Sequence, residues 1–460
     1  MARFLDGNDV AAFGRDGRLA VGDDRRAGLR TALVRWGQFG PGQTAGRFWP
    51  TACVALEVTQ RCNLDCSLCY LSEHAEAAHD VPMAVLVERI AMLENHYGAG
   101  TSIQLTGGDP TLRCTDDLVA LCREIRARGM RSCLMTNGIK ATRPLLSSLR
   151  AAGLDDVAFH VDLTQKRPGH ASETELNEVR MAYLDRARGL GLRVLFNTTV
   201  FDGNIDEVTD LARFFRVHAD VIALASFQLQ ADAGRGVLGS RPAAVTPERV
   251  VEALRVGFAT PLDFDVARVG HASCNRYATV LVAGAEAVSP LRDRGLFFDL
   301  LEGLDGSARW RGAYLRTPAT LARLVGRRPG LVLRLLRHVA SLGWALRRGL
   351  VTDCGRVHRL SLLVHDFMDA SALQRDRCEC CVFKVATRDG PLSMCVHNAQ
   401  RDRHVFAPTP VATEAGQRWW DAGSGTMRAE PGTVAIAALP AKRRKGRARK
   451  VAPSNVGRRR

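Results

Sequence analysis

Three cysteines stand close together in the chain, at Cys62, Cys66 and Cys69, directly after a strand-like run that begins at Cys53. Thiolates with this spacing on one loop can converge on a single iron–sulfur cube, which takes four ligands when its coordination is complete. Because the loop offers three, one iron would keep an open position where a small molecule can bind and react. Zinc is the alternative metal, although it prefers four ligands in two Cys-x2-Cys-like pairs.

The spacing Cys-x3-Cys-x2-Cys resembles the signature of the radical S-adenosylmethionine (radical SAM) superfamily. In that family the amino and carboxylate groups of S-adenosylmethionine chelate the open iron of a [4Fe–4S] cluster. The resemblance implies that one electron from the reduced cluster splits the S–C5′ bond into methionine and a 5′-deoxyadenosyl radical. It also implies an electron donor such as a flavodoxin or a ferredoxin.

Turns further along the chain support the same resemblance. Gly107-Gly108-Asp109-Pro110 looks like the family's Gly-Gly-Glu-Pro motif, which holds the methionyl amino group, and paired glycines let the backbone approach a ligand. Here an aspartate replaces the glutamate, so its reach is shorter and the contact is expected to pass to backbone oxygens. The cofactor-binding residues implied by the resemblance and by strand position are Gly107, Gly108, Asp109, Pro110, Thr136, Asn137, Asp162 and Asn197. No catalytic side chain is assigned, and His160 is equally well explained as a core imidazole.

The elements that must position these residues alternate in type between residues 48 and 265. Six strand-like runs, at Val54–Val58, Ser102–Leu105, Arg131–Met135, Val157–Val161, Leu192–Val200 and Val221–Leu229, are separated by apolar patterns of helical period. Successive β/α units imply a parallel sheet with right-handed crossovers. The fold class expected is α/β, a partial (β/α)6 TIM-like barrel, since six units are too few for a closed eight-stranded one. Its chemistry belongs at the carboxyl ends of the strands.

A second group of cysteines, Cys378, Cys380, Cys381 and Cys395, lies near the C-terminus. Adjacent cysteines are awkward for a zinc knuckle, so iron–sulfur is favoured over zinc. The surrounding Phe-Met-Asp-Ala, Asp-Gly and Met-Cys-x-x-Asn sequences resemble the C-terminal part of the archaeal tetraether lipid synthases and their pterin-modifying relatives. This resemblance implies a second [4Fe–4S] cluster held by Cys274, Cys380, Cys381 and Cys395, with Cys378 either surplus or a replacement.

Length and charge suggest several domains. A chain of 460 residues with 46% hydrophobic residues can bury a large core. We expect an N-terminal extension (1–47), the core domain (48–265), a smaller α-rich auxiliary-cluster domain (266–405) and a low-structure region (406–460) that ends in a basic tail (441–460). The tail carries ten of the basic residues, which leaves +6 of the net charge of +16 for the rest. Such a tail is most often a solvated arm, and nucleic-acid binding is not favoured.

Residues 331–350 predict an amphipathic helix in which Arg334, Arg337 and Arg348 share one arc. The helix is expected either to pack inside the protein or to lie on a membrane surface, since no apolar run approaches the ~20 residues of a membrane span. The N-terminus has no secretory signal, and thirteen cysteines without export indicate a reducing compartment. The expected location is the cytoplasm, with peripheral contact at the inner membrane face left open.

The function expected from these features is hydrogen abstraction from an unactivated C–H bond of a lipid-like or otherwise apolar substrate. Its first alternative is a radical SAM modifier of a peptide or a small heterocycle. A non-catalytic iron–sulfur or RNA-binding protein is the alternative from another class.

Overall fold

The computed structural model describes residues 4–14, 24–235, 245–304, 326, 329–414 and 416–441. In this part of the chain eleven strands form one sheet, and its centre is six parallel strands that lie side by side in chain order. These strands are β1 Cys53–Thr59, β2 Ser102–Gly107, β3 Arg131–Thr136, β4 Leu154–His160, β5 Arg193–Val200 and β6 Ile222–Leu229. All six correspond to the runs that the sequence predicts.

A helix follows each central strand: α3 Met83–Tyr97, α4 Thr115–Ala127, α5 Arg143–Ala152, α6 Asn177–Ala187, α7 Val208–Val217 and α8 Pro247–Phe258. Helix α5 shows why these segments are helical. Thr142 Oγ1 accepts the Leu145 amide as an N-cap, and Gly153 ends the helix with a φ of +114°. The predicted partial (β/α)6 barrel is therefore confirmed.

Alternation along the strands divides their side chains between two environments. On β4, Val157 and Phe159 pack into the core between sheet and helices, whereas Ala158 and His160 line an internal cavity of about 690 Å³. The other central strands likewise contribute side chains to the core and to the cavity wall. The barrel therefore encloses a space whose wall is formed by every second residue of its strands.

Strands from the C-terminal part extend both edges of this sheet. They are β7 Asn275–Ala283, β8 Glu286–Val288, β9 His358–Asp366, β10 Phe383–Thr387 and β11 Gly390–Ser393. Strand β9 joins β6 in parallel and pairs with β7, while β10 joins β1 in parallel. The part expected to be α-rich thus contains five strands, because an open barrel leaves two edges of unpaired backbone groups that these strands cover. The boundary expected at residue 265 stays a prediction.

The region expected to have little structure contains a small antiparallel sheet, which corrects that expectation. Its strands are β12 Thr409–Thr413, β13 Gly416–Asp421 and β14 Thr426–Arg428. Trp420 packs with Phe406 and Ala422 in a satellite apolar cluster, which explains why these short strands hold together. The basic tail from residue 442 onward lies outside the described residues.

The remaining helices are α1 Gly7–Ala11, α2 Ala27–Arg35, α9 Arg294–Gly303, α10 Pro329–Ala345, α11 Arg347–Thr352, α12 Arg375–Glu379, α13 Met394–Ala399 and α14 Arg401–Val405. The helix expected over residues 331–350 is thus present as α10 and α11. Within the described ranges, no helix has both the length and the apolarity that crossing a membrane requires. The N-terminal extension contacts the C-terminal part, since the Leu5 amide donates to Leu373 O at 2.8 Å.

Candidate active site

The cysteine loop lies at the carboxyl end of β1, where Cys62, Cys66 and Cys69 all line the large cavity. Asn137, from the turn after β3, ties this loop to the sheet. Its Nδ2 donates to Asn63 Oδ1 at 2.6 Å and lies 3.9 Å from Cys62 Sγ. Three soft thiol ligands therefore face one space, which fits a cluster with three protein ligands.

The glycine turn after β2 packs against the backbone that leads into the cysteine loop. A Cβ on Gly107 would lie 1.9 Å from Thr59 O, and one on Gly108 would lie 2.0 Å from Arg61 O. Gly107 also has a φ of +126°, which favours glycine. Both glycines line the cavity as predicted, but the close approach that requires them is to the chain's own carbonyls.

Asp109 is fully buried and is not part of the cavity wall. Its carboxylate accepts hydrogen bonds from Thr136 Oγ1 at 2.9 Å, from the Asn137 amide at 2.8 Å and from the Thr111 amide at 3.0 Å. Asp109 thus joins the glycine turn to the next turn rather than facing a ligand. Pro110 is likewise absent from the wall, while Thr136 and Asn137 line it. Of the six residues expected in these two turns, four reach the cavity.

Asp162 does not face the cavity as a cofactor-binding residue should: the His160 imidazole lines the cavity, and the Asp162 carboxylate is fully buried behind it. His160 Nε2 donates to Asp162 Oδ2 at 2.6 Å, and the Thr199 amide donates to the same oxygen at 2.8 Å. Burial raises the pKa of Asp162, but His160 and these hydrogen bonds outweigh it and lower the pKa to about 2. Burial lowers the pKa of His160, yet Asp162 raises it above its ordinary value.

Asn197 lines the cavity as expected, on the strand next to His160. Its Nδ2 lies 3.1 Å from Met135 Sδ, and its Oδ1 accepts Gln228 Nε2 at 3.4 Å. Since all three side chains belong to the wall, the middle of the cavity offers amide and thioether groups beside its apolar surface.

Arg235 reaches the cysteine loop from the segment after β6, and its side chain is wholly buried. Its guanidinium lies 3.4 Å from Glu76 and 3.9 Å from Asp65, and its amide donates to Leu71 O at 2.7 Å. Burial lowers the pKa of Arg235, but contact with Cys69 and these carboxylates raises it overall. A fixed positive charge therefore stands beside one of the three thiols.

A buried charged network joins β1 to the C-terminal part. Glu57 pairs with Arg401 and accepts Gln60 Nε2 at 2.9 Å. Burial raises the pKa of Glu57, but the charges of Arg401 and His397 hold it at about 2. The Arg401 guanidinium also lies over the Tyr70 ring, 4.6 Å from its centroid, and Tyr70 Oη donates to Gly107 O at 2.6 Å. The network therefore braces the glycine turn.

The second cysteine group converges on a small cavity of about 10 Å³. Its wall contains the four residues expected as ligands: Cys274, Cys380, Cys381 and Cys395. Cys378 is buried in the neighbouring apolar cluster and does not reach that wall. Burial raises the pKa of Cys274 and of Cys380 to about 12, although Arg377 Nε donates to Cys274 Sγ at 3.2 Å. Four thiols beside a cation fit the donor set of an iron–sulfur cluster.

The two cavities share a wall formed by His365, Phe367, Met368, Phe383 and Cys395. Cys395 thus lies between the second cysteine group and the space in front of the first. In the part of the chain that the structure covers, no group of three or more His, Cys, Asp or Glu side chains is spaced to hold a single metal ion.

The large cavity runs the length of the barrel, because residues from both ends of the strands line it. The wall includes the aromatic and aliphatic side chains of Phe48, Trp49, Leu291, Phe297 and Leu301. At the amino end of the barrel the wall is charged, since Asp156 binds Arg193 there at 2.6 Å. The space is thus mixed in character and includes an apolar section.

Residues 56–215 match the family model described as "Radical SAM superfamily". This part of the chain belongs to the radical SAM superfamily. The match spans β1, the cysteine loop, both turns and the units through α7.

The chain is similar over this radical SAM segment to several curated proteins. It is 32% identical over 169 residues to the GTP 3′,8-cyclase of Marinobacter nauticus, covering 35% of this chain and 50% of that protein. It is 32% identical to the PqqA peptide cyclase of Methylobacterium nodulans, covering 34% and 41%, and 29% identical to the 7,8-dihydro-6-hydroxymethylpterin dimethyltransferase of Methanocaldococcus jannaschii, covering 39% and 36%. The chain spans about half or less of the length of these relatives.

The radical SAM prediction is confirmed for residues 56–215, and for this segment the family implies a [4Fe–4S] cluster and S-adenosylmethionine. The enzymatic activity of the whole chain stays a proposal. The relatives' names refer to GTP, a peptide and a pterin, and none refers to a lipid. The pterin enzyme agrees only loosely with the narrower resemblance. The individual ligand assignments, the second cluster and the apolar substrate stay predictions.

Sequence reasoning missed Glu57, Tyr70, Arg235 and Arg401 around the radical SAM site. The sequence did contain a signal for Glu57. It is the one charged residue in the apolar run of β1, and it lies two residues after Ala55, so both side chains face the cavity. Arg235 and Arg401 lie outside regular strand patterns, and only tertiary packing brings them to the site.

Proposed function

We propose that this chain is a radical SAM enzyme that abstracts hydrogen from an unactivated C–H bond of a lipid-like or apolar substrate. The observation that carries the proposal is a single cavity of about 690 Å³ with three thiols at one end and an apolar section beyond. Cavities of this size are typical of small-molecule sites. The proposed location is the cytoplasm, at the inner face of the membrane.

Cys62, Cys66 and Cys69 would hold the cluster, and Arg235 would supply a positive charge beside it. With S-adenosylmethionine bound and one electron from a flavodoxin- or ferredoxin-like donor, such a cluster would supply the reductive S–C5′ cleavage that gives methionine and leaves the 5′-deoxyadenosyl group to take a hydrogen atom from the substrate as 5′-deoxyadenosine. The chain's own part would be to orient the reactants and to exclude water from the space that the barrel strands surround.

Backbone groups of the glycine turn are the proposed partners of the methionyl amino group. Tyr70 already donates to Gly107 O, and Asp109 is committed to its own turn. Thr136, Asn137 and Asn197 line the wall and are the proposed partners of the nucleoside or the carboxylate, for which they would exchange some of their present hydrogen bonds. His160 takes the place proposed at first for Asp162, with Asp162 fixing the orientation of its ring.

The apolar section supports a hydrocarbon substrate, because Phe48, Trp49, Leu291, Phe297 and Leu301 offer no hydrogen bonds apart from one indole N–H. The alternative is a peptide or a small heterocycle. It is supported by the names of the relatives and by the polar wall residues Gln104, Asn197 and Gln228.

A second [4Fe–4S] cluster is proposed on Cys274, Cys380, Cys381 and Cys395, with Cys378 surplus. The wall shared with the large cavity supports this placement, because a cluster there would stand close enough to the substrate to exchange an electron with it or to hold it.

Anaerobic reconstitution followed by dithionite and S-adenosylmethionine tests the activity. We expect 5′-deoxyadenosine from the wild-type protein and none from Cys66→Ala, while Cys354→Ala, an exposed cysteine outside both groups, serves as the matched control. Absence of the nucleoside from fully reconstituted wild type would favour the non-catalytic class.

Deuterium transfer tests the substrate class. Incubation with a phospholipid that carries perdeuterated acyl chains should place deuterium in 5′-deoxyadenosine, since the hydrogen comes from the substrate carbon. If the nucleoside stays unlabelled while a peptide or nucleotide raises its yield, the apolar assignment is wrong.

A further inference from the structure

Helix α10 exposes apolar side chains where a surface helix usually carries polar ones. Leu333, Leu336, Val339 and Trp344 are 53%, 60%, 57% and 70% exposed. Their spacing of three to five residues places them along one side of the helix, and we call them the apolar ridge. Single exposed apolar residues are ordinary, but four on one helix face form a continuous patch.

The polar residues of α10 turn toward the protein instead. Arg334 binds Asp293 at 2.6 Å and Asp299 at 3.0 Å, and His338 Nε2 donates to Pro290 O at 2.9 Å. Ser341 pairs with Arg292. Of the arc that the sequence offers as a membrane-facing basic surface, Arg334 is therefore committed to contacts with the segment around α9, whereas Arg337 and Arg348 stay exposed.

Helix α10 is held on α9 by a second, apolar contact. Leu331 packs with Leu296 in a cluster to which Leu300 and Leu335 also belong. Leu331 and Leu335 lie on the side of α10 that faces away from the ridge. Because α10 already has its packing partner, the ridge is not needed to hold the helix in place.

The charged side chains of α10 and α11 are all basic, since no Asp or Glu occurs from Pro329 to Thr352. Carboxylates contact these helices from neighbouring segments: Asp293 and Asp299 pair with Arg334, and Glu286 accepts the amides of Arg348 and Gly349. Arg337, Arg347 and Arg348 are exposed, and the Arg347 guanidinium lies 4.5 Å from the centroid of the Trp344 ring. An apolar ridge that combines a tryptophan with flanking arginines and lacks acids has the composition of a helix that lies in an anionic membrane surface.

The helix that carries the ridge packs on a helix that lines the large cavity. Phe297 and Leu301, on α9, line the cavity, while Leu296 and Leu300 of the same helix pack against α10. A single helix thus separates the ridge helix from the apolar section of the cavity.

We propose that α10 docks this protein on an anionic phospholipid bilayer, with the apolar ridge inserted and Arg337, Arg347 and Arg348 against the headgroups. This deepens the proposed function, on which its link to a lipid substrate rests, because docking brings the apolar section of the cavity next to the source of such a substrate.

Co-sedimentation of the full chain with vesicles tests the proposal, using phosphatidylcholine with and without phosphatidylglycerol. We expect wild type to bind only the anionic vesicles. Leu336→Glu and Trp344→Glu should each reduce the partition coefficient at least about tenfold, since each removes inserted apolar surface and adds a repelled charge. Val217→Glu, at a position 68% exposed on α7, makes the same kind of change away from the ridge and should bind as wild type does.

Three results would overturn the proposal. The first is that wild type does not bind the vesicles. The second is that both ridge variants bind as strongly as wild type, which would assign the affinity to another basic segment such as the tail. The third is a wild-type dimer in light scattering that Leu336→Glu dissociates, which would make the ridge an interface between two copies. Formation of 5′-deoxyadenosine without substrate, measured in the same variants, distinguishes failure of docking from failure of the radical SAM activity.

Discussion

His160 and Asp162 form an ion pair of which the cavity contacts only the imidazole. Folding lowers the pKa of Asp162 from 3.8 to about 2, so its contribution to stability is present above pH 3.8 and is lost as the pH falls toward 2. Folding raises the pKa of His160 above 6.5, so the imidazolium contributes below pH 6.5 and its contribution is lost as the pH rises through the folded-state pKa.

Asp162→Asn should reverse the direction in which folding shifts the pKa of His160. Without the carboxylate, burial dominates and should take the pKa of His160 below 6.5. Titration of carbon-13-labelled histidine by NMR measures this, with His160→Gln to assign the resonance. An unchanged pKa in the variant would show that Asp162 does not control the charge of the cavity-lining imidazole.

Arg180 and Glu173 form a wholly buried pair behind the His160 strand. Arg180 also donates to Val161 O at 2.9 Å, and Glu173 accepts the Leu163 amide at 3.0 Å. Arg180→Leu leaves a buried carboxylate without its cation, which we expect to cost about 3–5 kcal/mol of unfolding free energy in urea denaturation.

Arg213→Leu is the matched control for this change. Arg213 pairs with Asp210, and both side chains are 54% exposed. The expected cost is below about 1 kcal/mol, because solvent screens an exposed pair. Similar losses for the two variants would contradict the assignment of the Arg180 pair as a buried structural one.

The glycine turn and the cysteine loop behave as one element, because Gly108 packs on Arg61 O. Gly108→Ala should displace the loop, cost about 1–3 kcal/mol and lower the iron bound per chain. Gly28→Ala, in α2 with no atom within 4 Å of the added Cβ, should leave iron content unchanged. Iron analysis and urea denaturation report both effects, and full iron loading of Gly108→Ala would contradict the coupling.

Most of the β/α units could be predicted from sequence because helices such as α5 have an apolar period and a recognisable end, here Gly153. Helix α6 lacks both such a period and a glycine C-cap, so its place followed from the alternation of elements on either side. Strand alternation alone would also place His160 on the wall with Ala158. Asp162 and Asp109 were misplaced because they lie beyond the last residues of β4 and β2, where that alternation no longer applies. The strands added beside the six central ones, such as β9, could not be predicted, since their partners are distant in sequence.

At the scale of the molecule, the C-terminal part does two things for the barrel. Its strands cover both edges of the sheet, and α13 and α14 bring Cys395 and Arg401 to the wall of the large cavity. Arg401 reaches Glu57 and Tyr70 near the first cysteine group, while Cys395 belongs to the second. Both cysteine groups therefore contribute to the wall of one cavity.

Iron and sulfide counts on the reconstituted protein test whether both groups hold clusters. Two [4Fe–4S] cubes give about eight iron and eight sulfide per chain, and Cys395→Ala should lower both counts to about four. Cys378→Ala should leave them near eight, because Cys378 lies in the apolar cluster beside the small cavity rather than on its wall. A loss in Cys378→Ala equal to that in Cys395→Ala would make Cys378 a ligand, and about four iron in wild type would mean that the second group holds no cluster.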